Sequence, residues 1–446
     1  MRRENEKGRA NPMAMSAEER QQMLLTQPVE KIIPKMALPT ICSMLITSIY
    51  NMADTYFVSQ IGTAEATASG TSASAAVGIV FSVMAMIQAL AFMFGMGSGT
   101  NVSHLLGNVF NEPLMRLLGA TETAMPYALD YARYIFLAAP FMMGSLSMNN
   151  LLRFQGLATY GMVGIISGGL LNMLLDPLLI FVFDMGIAGA SIATAISQLT
   201  SFVILLVMCS THADAITIHP RNYRPTKQMY GKILNNGLPS LGRQGIMSVS
   251  TSLLNNAAAV YGDPAIAAFA IVSRCLNFVN STVVGFGQGF QPVCGFNYGA
   301  RKYDRMHRAF SFSVKVTTIV LLVLGVAGFA FAEPVVTLFR RSDPEVIRIG
   351  TETFRVQILT VWTWGFITLS NMYTQAIGYG IRSTILAAAR QGLFLIPTLL
   401  VLPNVWGLRG LEVCQPLADV LTLALAVWMM TKVIRTQKAQ MAQETA

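Results

Sequence analysis

Along this 446-residue chain, polar and charged positions come in short bursts between long apolar runs. An α-helix needs roughly 20 apolar residues to cross a bilayer. Runs of that order occupy 36–59, 73–98, 127–151, 158–183, 187–210, 233–259, 264–293, 309–332, 350–374, 384–403 and 409–431. The pattern predicts about eleven transmembrane helices. Segments this apolar have few amphipathic faces to meet water, which argues against a soluble helical bundle. An all-α polytopic membrane protein satisfies its backbone groups within each crossing segment. The first run follows about 35 polar residues and is too long for the apolar part of a signal peptide, so no cleavage is expected.

Composition agrees with the pattern. Apolar residues make up 53% of the chain, charged residues 12%, and the mean hydropathy is +0.51; soluble domains carry about 25% charged residues. The net charge of +9 raises the question of nucleic acid. The basic residues cluster in the loops between runs, however, which is the mark of a cytoplasmic membrane face. The clusters are Arg2 to Lys35 in the tail, Arg221 to Lys232, Arg301 to Arg308, and Lys432 to Lys438. The loops near 60–70 and 260–264 hold no Lys or Arg and read as external. Both termini are therefore expected in the cytoplasm, a condition that eleven crossings do not meet. Cys42, Cys209, Cys275, Cys294 and Cys414 lie in or beside apolar runs without CxxC pairing, so neither a zinc site nor a disulfide framework is expected.

The chain repeats itself. LPTICSML at 38 is echoed by LPSLGRQG at 238, and Gly62 by Gly262, at an offset of 200. FNEP at 110 matches FAEP at 331, and GIAG at 186 matches GLRG at 407, at an offset of 221. Internal repeats of five or six helices are the usual construction of a secondary transporter. The expected organisation is a tail over 1–35, a bundle of about five helices over 36–210, a cytoplasmic linker over 211–232, a bundle of about six over 233–433, and a tail over 434–446. Pairing Gly107 with Gly299 gives an offset of 192, which rises to 221 at the next marker, a difference of 29 residues. In the second half a helix separates NYGARKYDR from the EP motif; in the first half SHLLGNVF runs straight into it. One helix is therefore expected to be missing from the first half.

Polar residues inside the runs carry the candidate chemistry. Asp54 sits near the end of the first run, where it reads either as an ion site or as a helix cap near water; an intramembrane carboxylate costs about 2.5–3.5 kcal/mol at mid-depth. Asn172 and Asp176 are four apart and share one helix face. Pro177 follows, removing a backbone donor, and the alternative reading of this Asp-Pro pair is an ordinary helix terminus. Two carboxylates in one desolvated site raise each other's proton affinity, while a bound cation lowers it. Gln88, Asn150, Asn280 and Gln288 are candidate linings of a substrate cavity; bonding between helices is the competing role for such neutral polar groups. Arg153 reads as a cytoplasmic charge or a gate, and Arg274 as an interfacial residue. No glycine-rich nucleotide loop is present, which argues against direct ATP coupling.

The segments NMADTYFVSQIG at 51, NNLLRFQG at 149, LLNMLLDPLLIFVFDMGIAGASIATAISQ at 170 and GFGQGFQPVCGFNYGA at 285 resemble the MATE (multidrug and toxic compound extrusion) family, in its MepA-like bacterial branch. The likeness runs from about residue 30 to 435. It implies two pseudo-symmetric six-helix bundles, twelve crossings in all, from which this chain departs by lacking the third. It implies export of cationic or amphipathic small molecules against sodium ions or protons, with no other cofactor, no enzymatic activity and no nucleic-acid partner. The expected setting is a monomer in the bacterial cytoplasmic membrane. In the family Asp54, Asn172 and Asp176 match the cation site, a sodium site in some members, with Ala190 contributing a carbonyl and Thr194 a hydroxyl. Two other functions stay open at this point: a transport-inactive truncated membrane protein, or a flippase for a lipid-linked substrate.

Overall fold

The computed structural model describes residues 17–59, 125–212, 226, 245–247, 249–339 and 344–445. Among them every regular element is helical. The chain runs through α1 (Ala17–Thr26), α2 (Val29–Ser59), α3 (Met125–Phe154), α4 (Ala158–Pro177), α5 (Gly186–His212), α6 (Asp263–Gly299), α7 (Tyr303–Ala330), α8 (Ala332–Phe339), α9 (Pro344–Ile358), α10 (Trp362–Ala376), α11 (Gly380–Ala388) and α12 (Leu395–Thr445). Seven helices among the described residues are long and apolar enough to cross a membrane. The expected run at 73–98, with Gln88, and the expected missing helix before FNEP lie outside the described residues.

Two compact units emerge from the contacts. Among the described residues, one unit takes 17–23 and 42–212, and the other takes 24–41 and 245–445. α2 thus contributes residues to both. Its early part joins the second unit because α6 has no side chain at two points of contact: a Cβ on Gly285 would lie 2.6 Å from the Ile41 Cα, and one on Gly289 would collide with Ala37. Thr40 Oγ1 donates to the Gly285 carbonyl at 2.6 Å.

In the first unit, α4 and α5 form a hairpin. Asp184 (φ 53°) and Gly186 (φ 54°) turn the chain through left-handed conformations. A Cβ on Gly189 would lie 2.8 Å from the Leu179 carbonyl, and one on Gly168 would lie 2.9 Å from the Ser201 Cβ. Small residues at these points let the two backbones approach closely. The opposite face of α4 is lipid-facing by character: Leu170, Leu174 and Leu178 are exposed, Leu174 by 70%, whereas Asn172 and Asp176 are exposed by 2% and 0%. One helix therefore carries an apolar stripe outward and a stripe inward that begins with glycines and ends in polar groups.

The second unit contains the corresponding hairpin. α12 is 51 residues long with Gly407 (φ 60°, ψ −138°) inside it. At about 1.5 Å per residue a straight helix of that length would far exceed the hydrocarbon core. The chain instead reverses at Gly407: a Cβ on Gly410 would collide with the Leu402 carbonyl, and Thr398 Oγ1 reaches the Cys414 carbonyl at 3.5 Å. The two runs expected at 384–403 and 409–431 are the two arms of this turn. The run expected at 350–374 is not one helix, since α9 ends at Ile358 and α10 starts at Trp362. Thr360, between them, bonds to the Gln357 carbonyl (3.2 Å) and to Asp419 Oδ2 (3.0 Å), a side chain competing with helical backbone.

Candidate functional site

Four helices of the first unit converge on the predicted residues. α2 supplies Asp54, α4 supplies Asn172 and Asp176, and α5 supplies Ala190 and Thr194. α3 adds Tyr131, which the sequence reading passed over. The Tyr131 hydroxyl donates to Asp54 Oδ2 at 3.1 Å. Asn172 Nδ2 donates to Asp176 Oδ1 at 3.1 Å and to Thr194 Oγ1 at 3.3 Å. Asp54 with Tyr131, and Thr194 with Asn172 and Asp176, are thus two hydrogen-bonded sets gathered in one polar cluster.

This cluster is set in an apolar shell. Tyr131 and Ala190 belong to one core cluster with Val58, Ile135, Ile180 and Ile187. Ala190 is fully buried one turn ahead of Thr194. Among the buried atoms without a hydrogen-bond partner are three oxygens of this cluster: Asp54 Oδ1, Asn172 Oδ1 and Asp176 Oδ2. An unmatched buried acceptor costs about 1–3 kcal/mol, so three in one polar cluster call for a positive partner. The Asn172 amide nitrogen faces a carboxylate, which only accepts hydrogen bonds; its oxygen is thereby left for something else. Downstream, Pro177 has no N–H to give the Met173 carbonyl, and the helix loosens into a π-helical turn over Leu178–Val182. Such turns recur at functional sites.

Among the described residues no three His, Cys, Asp or Glu side chains form a metal cluster. The donors here are two carboxylates, an amide oxygen and a hydroxyl, hard oxygens suited to a proton or a small hard cation and not to a transition metal. The residues present fit that charge.

The other candidate residues are dispersed. Asn150 Oδ1 accepts from Arg153 Nη2 at 2.8 Å, so it serves the last turn of α3. Arg153 is itself buried, at 5% exposure, unlike a solvated loop charge. Asn280 and Gln288 lie half-buried on α6 in the second unit. Gln291 Nε2 donates to Gln375 Oε1 at 3.0 Å, joining α6 to α10.

Comparison with known proteins adds independent findings. A family model described as MatE matches residues 104–178 and 239–400. The multidrug export protein MepA of Staphylococcus aureus (strain MSSA476) is 26% identical over 412 residues, which is 86% of this chain and 89% of that protein. MepA of Staphylococcus saprophyticus is 26% identical over 428 residues, covering 90% and 92%. Among solved structures, an outward-facing multidrug resistance MATE family transporter of the MOP superfamily superposes with a TM-score of 0.83 at 23% identity, covering 94% of this chain and 98% of that one. A MOP superfamily transporter from Pyrococcus furiosus gives 0.83 at 24% identity, covering 93% and 98%. At these identities the structural likeness speaks for the fold.

Proposed function

This chain belongs to the MatE family, and from that premise we propose that it exports cationic or amphipathic small molecules by antiport, with sodium ions or protons entering the cluster on α2 to α5. The coarser statement needs no proposal: it is a multi-pass membrane transporter and not an enzyme. The finer reading places it in the bacterial cytoplasmic membrane as a monomer with both termini inside. It divides the chain into a first bundle over 36–210 and a second over 233–433.

The observation that carries the coupling role is the set of three buried, unpartnered oxygens in one cluster of hydrogen-bonded polar groups. A scaffold built only for stability would pair these atoms or replace them with apolar groups. A proton or a sodium ion satisfies them, and a conformation that separates α2 from α4 would release it. Coupling requires that difference in affinity between two states. Protons and sodium compete for the same oxygens. While the carboxylates remain protonated, sodium affinity therefore rises with pH, by about tenfold per unit for each proton displaced.

Asp54→Asn and Asp176→Asn should each abolish gradient-driven efflux of a fluorescent cationic dye while leaving protein in the membrane at normal amount. Unchanged efflux in both variants would remove the cluster from the mechanism. Sodium-stimulated dye release from proteoliposomes, followed across pH, distinguishes the coupling ions. A sodium response that strengthens as pH rises supports sodium. No response at any pH, together with loss of transport when the proton gradient is collapsed, supports protons.

A further inference from the structure

The last hairpin of the second unit presents cations that no carboxylate matches. Its register is fixed by three contacts. Arg390 Nε donates to Asp419 Oδ1 at 2.7 Å, Thr398 Oγ1 reaches the Cys414 carbonyl at 3.5 Å, and a Cβ on Gly410 would collide with the Leu402 carbonyl. Leu386 joins Ala426 and Met429 in one core cluster, in keeping with that register. Continued to the start of α11, it sets Arg382 opposite Met430 and Lys432 opposite Gly380. Two residues of helix span about 3 Å, so the two cations lie at nearly one height on neighbouring arms. Both are exposed. Each is held against an aromatic ring: the Arg382 guanidinium is 4.7 Å from the Tyr379 centroid, and Lys432 Nζ is 3.9 Å from the Trp428 centroid. Arg435 follows Lys432 one turn later and is also exposed. The segments 380–394 and 420–443 contain no Asp or Glu, and among the described residues none of these three cations forms an ion pair.

Deeper in the membrane the exposed faces of both arms turn apolar, with Ile385 and Leu393 on one and Val420, Leu421 and Val427 on the other. Leu421, Trp428, Lys432 and Arg435 follow at intervals of seven, four and three and so share one helix face. That face passes from aliphatic to aromatic to basic, the order of acyl chain, interface and headgroup in a lipid. Basic residues that only set topology need neither a common height nor a ring to hold them; Arg308 and Lys438 are of that kind. A cation over a ring face is partly desolvated and fixed in place, which favours a fixed anion as its partner. We propose that Arg382 and Lys432 bind the headgroup phosphate of an anionic phospholipid, with its acyl chains along the apolar rows and Arg435 adding to the attraction. A lipid of net negative charge fits better than a zwitterionic one, whose own cation offsets the phosphate. The site is separate from the coupling cluster. Its place in the cytoplasmic leaflet rests on the reading that the C-terminus is cytoplasmic.

Purified full-length protein in a neutral detergent is titrated with phosphatidylglycerol and with phosphatidylcholine of the same chains, and bound lipid is counted by native mass spectrometry. The parent is expected to bind its first phosphatidylglycerol about tenfold more tightly than phosphatidylcholine, and Arg382→Gln with Lys432→Gln to bring the two within about twofold. Arg308→Gln with Lys315→Gln removes the same charge from exposed positions on α7 and should leave the preference intact. Equal loss in both double variants, or no preference in the parent, overturns the site. Lys432→Gln alone serves if the first pair fails to fold: a loss of about threefold or more supports the site, and an unchanged preference overturns it. Displacement of the lipid by an equal concentration of glycerol phosphate overturns it in favour of a soluble anion. Micelles have no sides, so these results stand apart from topology and from export. Labelling of Ala446→Cys from outside the cell, with the five native cysteines replaced, would overturn the cytoplasmic leaflet alone.

Discussion

At Asp54 the carboxylate oxygens differ in one respect: Oδ2 receives the Tyr131 hydroxyl and Oδ1 receives nothing. Tyr131 therefore fixes the orientation of Asp54 from α3. Tyr131→Phe keeps the ring in its core cluster and deletes only the hydroxyl, at a cost of about 1–3 kcal/mol to the acceptor it leaves. Driven dye efflux should fall by roughly tenfold or more with membrane protein unchanged, and ungated binding of the dye should persist. Full efflux in that variant would reduce Tyr131 to packing. Asp54, Asn172 and Asp176 were legible because charge and amide groups stand out in apolar runs and because a spacing of four shares a face. Ala190 and Thr194 were drawn only from the family likeness. Tyr131 was not legible, since a tyrosine in YALDYARY reads as ordinary amphipathic filler until a carboxylate from another helix is seen against its hydroxyl.

α4 turns residue chemistry into position. Its inward stripe passes from Gly164 and Gly168 to Asn172 and Asp176 at intervals of four, so close approach of α5 at the glycines sets the Asn172 to Thr194 bond one turn further on. In Gly168→Val the new Cβ would lie 2.9 Å from the Ser201 Cβ and 3.0 Å from the Ser197 carbonyl, one of them backbone, so α4 and α5 must part. The expected cost is about 1–3 kcal/mol, read as a lower melting temperature in detergent with loss of coupled efflux. Leu174→Ala on the exposed stripe should change neither. Equal effects from the two substitutions would refute the division of α4 into two faces. The hairpins were foreshadowed by the GIAG and GLRG repeats, and both glycine turns have positive φ, 54° at Gly186 and 60° at Gly407. The break between α9 and α10 was not foreshadowed, because hydropathy averages over a single Thr360 whose partner, Asp419, lies 59 residues away.

For the whole chain, the repeat and the charge pattern make conflicting demands. Basic clusters at 2–35 and 432–438 ask for both ends on one side, which needs an even number of crossings, whereas eleven apolar runs are present. The repeat locates the discrepancy between Gly107 and Phe110. The segment 99–122 carries Asn101, His104, Asn108, Asn111, Glu112, Pro113 and Arg116, each costly in hydrocarbon, so it is a poor twelfth crossing despite its length. Either a terminus with its basic residues is forced outward or a polar segment is drawn inward at about several kcal/mol for each unsatisfied backbone group. The expected outcome is weak expression or weak efflux from the 446-residue chain, with both restored by inserting an apolar helix of about 21 residues between Gly107 and Phe110. The check is cysteine labelling of each terminus and of Asn108→Cys, in a background with the five native cysteines replaced, alongside efflux. Robust efflux from the unaltered chain with both termini cytoplasmic would show that 99–122 crosses after all. The polar residues named there would then have to face protein or water, because lipid gives them no partner.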